Sequence, residues 1–122
     1  MITGKLNQIH KDHREWIAEI ELLKTEITFL TKLVQKNPNL KEGKFQNDLD
    51  HHRRLLDKLM TSIQSHKAFL AEMAIEDIRT MEMLDIEGHN RNKAHFKNLD
   101  EGFKKLRHDI LHLSGKNAEA IH

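Results

Sequence analysis

Buried-type residues recur along this chain at alternating steps of four and three, without a slip, over three long stretches. Ile9, His13, Trp16, Ile20, Leu23, Ile27, Leu30 and Val34 make the first. Phe45, Leu49, His52, Leu56, Leu59, Ile63, His66, Leu70 and Met73 make the second, and Phe96, Leu99, Phe103, Leu106, Ile110 and Leu113 the third. Such steps return to one side of an α-helix, so each stretch is an amphipathic helix with one seam to bury. A strand alternates faces at every residue and does not produce this pattern. The expected fold is therefore all-α, an antiparallel up-down bundle of three long helices plus a short connecting helix, in a single domain over 1–122.

The first helix is expected over 5–36. It ends in "QKNPNLKEGK", where Pro38 disfavours helical geometry in the residue before it and Gly43 adds a second break. The second is expected over 44–73; the short link makes it an antiparallel neighbour of the first. The third is expected over 90–114, opened by the breaker and cap formers of "EGHNRN" and stopped by "SGKN". Between them, "AIEDIRTMEMLDIE" has neither proline nor glycine. It reads as a short helix over 75–86 that reverses the chain. The alternative prolongs helix two and needs a second copy to cover Ile78, Met81 and Leu84.

Composition narrows the function classes. Twenty basic and nineteen acidic residues leave a net charge of +1, without the basic excess of a nucleic-acid-binding domain. No apolar run nears the length of a membrane span, and the polar start "MITGKLNQIHKDHREW" lacks a signal-peptide core, so a cytoplasmic protein is expected. The absence of cysteine removes disulfides, thiolate metal sites and cysteine nucleophiles. No nucleophile elbow, phosphate loop or metalloprotease helix is present, and an enzyme is the least supported class.

Ten histidines are the compositional oddity, and several sit on the seams. Residues equidistant from the first turn should lie level in an antiparallel pair. This puts His13 within one helical turn of His66. Extending the third seam back by one heptad adds His89, and the chain reversal carries it to the same end. His13, His66 and His89 should then converge in one layer, with His10 and Glu72 placed to join them. Neutral imidazoles on facing helices can bind zinc, iron, copper or nickel. The competing reading is structural: seam histidines that only fix register through hydrogen bonds. His52 lacks an ionisable seam partner on helix one and reads as a hydrogen-bonded core residue. Asp48 with His51 and Asp109 with His112 form a weaker candidate pair of ligand sets at the opposite end.

With "HKDH" entering helix one, "SHKAFL" in helix two, the His108–His112 step and the His52–Asp57 and His95–Asp100 spacings, the chain resembles hemerythrin-type cation-binding bundles. That resemblance implies an iron site built from core histidines and carboxylates. The chain is also similar to small uncharacterised His-rich helical-bundle proteins that open with "IH-x-x-H-x-x-W". Two functions follow as expectations. One is a bundle holding a divalent transition metal, zinc or iron, through His13, His66, His89, His10 and Glu72. The other is a non-catalytic interaction module, a homodimer in which the seam histidines only set register. A third expectation is a pH-responsive bundle whose clustered histidines repel once protonated.

Overall fold

In a computed structural model, residues 2–37, 40, 43–73 and 81–121 are described. Three long helices account for almost all of them: α1 Ile2–Lys36, α2 Lys44–Met73 and α3 Ile86–Ile121. Cross-helix contacts fix their directions. His13 meets His66 and Thr28 meets Arg53, so α1 and α2 are antiparallel. Ser62 meets Asn92 and His52 meets Phe103, so α2 and α3 are antiparallel as well. Glu26 meets Arg107, and α1 and α3 therefore run parallel. Among the described residues no helix is long and apolar enough to cross a membrane.

All eight residues of the first seam are buried, as are Leu49, Leu56, Leu59, Ile63, His66 and Leu70 of the second. Phe103, Leu106 and Ile110 complete the layers from α3. Leu113 departs from the pattern and is 39% exposed. Its level lies at the end of the bundle, where Ser114 already contacts Asn37 just beyond α1, so no helix remains to cover it.

The core is not continuous. A large cluster runs from Trp16 to Val34 on α1, from Leu49 to Ile63 on α2, and over Phe103, Leu106 and Ile110 on α3. A small one holds Ile9, Leu70 and Leu84, with Leu6 and Ile86 against it. Between the two lies a polar layer of buried His13, His66, His89 and Asn92.

The connection into α3 differs from the expected short helix over 75–86. Its described part is a single 3-10 turn, Met81–Leu84, followed directly by α3; residues 74–80 lie outside the described residues. Helix α3 begins at Ile86 rather than near 90 because Asp85 caps it. The Asp85 carboxylate accepts the Gly88 N–H at 3.1 Å, and the His89 N–H closes the first turn on the Asp85 carbonyl at 3.0 Å. Asp85 has φ 51°, a left-handed conformation that aspartate tolerates better than most residues. A Cβ on Gly88 would collide with the capping carboxylate, so the glycine in "EGHNRN" admits the cap rather than breaking the helix. At its far end α3 passes through "SGKN" to Ile121. One helical glycine costs only about 1 kcal/mol and does not stop a helix that has no other reason to turn.

Candidate metal centre

Each of the three helices contributes one histidine to the polar layer. His13 is 1% exposed, His66 7% and His89 4%. One nitrogen from each ring lies within 4.8 Å of one from each of the others, and three buried histidines so placed could hold a metal ion. The expected convergence of His13, His66 and His89 is therefore present in the fold. It follows from the seam phase: four- and three-residue steps carry each imidazole to the same inward direction as the leucines above and below it.

Hydrogen bonds orient two of the rings. His66 Nε2 lies 2.8 Å from the Leu84 carbonyl, which can only accept, so this nitrogen carries the proton and donates. His89 Nε2 donates in the same way to Asp12 Oδ2 at 2.9 Å. In neutral rings, both Nδ1 atoms then keep their lone pairs. His66 Nδ1 stands 3.2 Å from His13 Nε2, where it accepts the His13 proton. The Nδ1 atoms of His13 and His89 are buried without a hydrogen-bond partner among the described residues. A buried polar atom left unpaired costs on the order of 1–3 kcal/mol, so the layer is under-satisfied as it stands.

Trp16 closes the layer on the side of the large cluster. Its ring stacks on His89 at 4.8 Å and 26°, and on the far side faces Phe96. Phe69 stacks on His66 at 6.4 Å and remains 44% exposed, covering the outer edge.

Burial, with the nearby His66, His89 and His10, pushes the His13 imidazole down from 6.5 to about 4. Burial also lowers His89, against the opposing pull of Asp12. Asp12 moves the other way from what burial alone would do: desolvation raises it, but hydrogen bonds from His89 and Gln8 hold it below the usual carboxylate value. All three shifts favour neutral imidazoles beside an ionised carboxylate. Neutral imidazole is the form that ligates a metal.

The two supporting residues are not among the three gathered rings, although His10 lies beside His13. His10 is half-buried and lines a cleft of about 440 Å³ with Asn7, His13, Arg14 and Lys67. Glu72 is exposed and stands outside the gathered group. Six residues beyond His66 is about 120° around the helix from it, so a glutamate there points off the seam. Asp12 and the Leu84 carbonyl, not foreseen from the seams, are the groups that steer the rings. The run "DH" at Asp12–His13 was the available sign: residue 12 flanks the seam on the side that α3 occupies.

Among the described residues the remaining histidines do not join this group. His52 is half-buried, edge-on to Phe103 at 6.3 Å, and its Nδ1 has no partner. This corrects the expected hydrogen-bonded core role. His51, His95, His108 and His112 are exposed. Asp48 and Asp109 share a cleft with His52, but His51 and His112 do not line it. The carboxylates of the hemerythrin-like spacings are engaged with lysines, Asp57 with Lys24 and Asp100 with Lys104. Among the described residues, His13, His66 and His89 form the group placed to share an ion. Comparison with protein-family models, with curated proteins and with solved structures returned no match, so the hemerythrin resemblance has no support from relatives.

Proposed function

We propose that this protein binds one divalent transition metal between its helices, with His13, His66 and His89 as ligands. The observation that carries this reading is the steering of His66 and His89. Ligating histidines characteristically donate their second ring N–H to a carboxylate or a backbone carbonyl, which fixes the tautomer and aims the other nitrogen at the metal. Asp12 and Leu84 O are one of each. A zinc ion at ~2.1 Å from each nitrogen in a tetrahedral shell requires nitrogens about 3.4 Å apart. His13 and His66 stand at 3.2 Å. A nitrogen of His89 lies within 4.8 Å of one from each of the other two rings.

Binding on His66 Nδ1 replaces its hydrogen bond to His13 and moves the His13 proton to the other ring nitrogen. Three protein ligands leave one position for water or a small molecule, the arrangement found in catalytic rather than closed structural zinc sites. Zinc and iron(II) both suit imidazole; Irving–Williams order gives zinc the higher affinity. The test is calorimetric titration of zinc into metal-free protein carrying no purification tag. We expect one equivalent, with binding lost in His66→Leu. A stoichiometry below one tenth would end the reading.

A second reading, self-association, is favoured by a separate observation. Leu22 and Phe29 lie one heptad apart on the outer face of α1 and are 52% and 62% exposed. A homodimer that covers this stripe is tested by light scattering; a monomeric mass at high concentration contradicts it.

A further inference from the structure

The groove between α2 and α3 holds two adjoining clefts that share Ser62, Arg91 and Asn92. The larger, about 490 Å³, runs from Asn92 of the polar layer along the groove and is floored by Leu55, Leu59 and Leu99, with Lys58, His95 and Asn98 at its sides. No acidic side chain among the described residues lines it. The smaller, about 360 Å³, reaches His66 and the exposed Phe69. Leucines floor the distal cleft between polar sides, whereas the cleft at the layer brings Arg91 and Asn92 beside His66.

The chemistry at the junction suits an anion. Ser62 donates its hydroxyl proton to Asn92 Oδ1 at 2.8 Å, which leaves the Asn92 amide N–H₂ as a donor. Among the described residues the Arg91 guanidinium pairs with Glu87, at 3.4 Å and with both side chains exposed, a pairing of little worth in water. Two carboxylates adjoin the junction: Glu87 beside Arg91, and Asp85, which is engaged in capping α3. Small-molecule sites combine just such an apolar floor with a few convergent polar groups.

We propose that this groove binds a linear monocarboxylate of medium chain length, its carboxylate on Arg91 and Asn92 beside His66 and its alkyl chain over Leu59, Leu55 and Leu99. Arg91 forms a bidentate pair with the carboxylate. The chain gains by leaving water along the leucines. The leucine floor lies in the cleft away from His66, which sets the direction: head toward the histidines, tail away. In one respect the proposal rests on the metal reading, because a carboxylate so placed can also fill the open position of a metal held by His66.

The test is calorimetric titration of sodium octanoate, with acetate as the short-chain control, into the full chain, metal-free and zinc-loaded. We expect octanoate to bind metal-free protein at least tenfold more tightly than acetate. Arg91→Glu should weaken octanoate at least tenfold, and Lys58→Glu by a smaller factor. Both side chains are exposed, so both variants keep the fold, which circular dichroism checks. Lys32→Glu, a charge reversal on the exposed face of α1, should change affinity less than twofold. Octanoate binding no tighter than acetate, or unmoved by Arg91→Glu, overturns the proposal. Zinc loading should tighten octanoate at least tenfold; zinc that binds without this effect overturns the placement of the head beside His66. Should zinc fail to bind, the metal reading falls alone, and the metal-free titrations still decide the groove.

Discussion

Two histidine-bearing regions occupy equivalent seam positions of this bundle and come to different ends. His66 and His52 lie two heptads apart on α2, both facing inward. At His66, α1 and α3 each bring a further imidazole, and Asp12 and the Leu84 carbonyl hold two of the three rings. At His52 the neighbours are Gly102, on which a Cβ would stand 3.2 Å from His52 Cε1, and Phe103. No second imidazole comes from α1 or α3, and the buried Nδ1 is unpaired. An inward histidine is thus not in itself a site. It becomes one when other helices supply matching nitrogens and an outer set of acceptors steers them.

The largest effect that separates the regions is on metal affinity. His66→Leu should lower zinc affinity more than 100-fold, leaving two of three ligands, whereas His52→Leu should leave it within twofold. Competition with a zinc chelator reads both; equal losses would erase the distinction.

Next comes acid. His13 has its folded value depressed to about 4 against 6.5 in the unfolded chain, so the unfolded state binds the proton first as pH falls. The stability present above pH 6.5 is therefore lost between pH 6.5 and 4. At pH 5 the loss attributable to this group is on the order of 2 kcal/mol. Thermal melts of metal-free protein at pH 7.5 and 5 should show it, and His13→Leu should flatten most of the difference. His89 in the layer and His52, both also lowered by burial, add smaller contributions of the same sign. If His52→Leu flattened the profile more than His13→Leu, the layer would not be the acid-sensitive region.

Removing a steering group should weaken the site without dismantling it. Asp12→Asn should reduce zinc affinity about 10-fold, at the lower end for the loss of such an outer partner. A change below twofold would mean that His89 needs no carboxylate to orient it. The smallest effect belongs to the other region. His52→Leu removes an unpaired buried nitrogen and should raise the denaturation midpoint by the equivalent of about 1 kcal/mol. A loss of stability there would show that His52 has a partner after all.

What could be read from the chain follows the same division. The four-three phase placed His13, His66 and His89 inward, and distance from the first turn placed the first two level, because both depend only on helix periodicity and chain reversal. Helix ends were less legible. Asp85 and Gly88 act as a pair, with the glycine making room for the cap, while either residue alone reads as a break. The steering groups were less legible still. Leu84 acts through its carbonyl, which the identity of the side chain does not announce, and Asp12 acts across to another helix. Glu72 attracted attention by proximity in sequence, yet its angular position on α2 turns it to solvent.

The most direct test is a crystal of the zinc-soaked, untagged protein, with an anomalous difference map collected above the zinc edge. The account predicts one dominant peak inside the bundle, within bonding distance of nitrogens from His13, His66 and His89, with Asp12 and the Leu84 carbonyl still holding the outer N–H groups. A map with its strongest peak at the exposed His108 and His112, or with no density in the layer at full soaking, would contradict it.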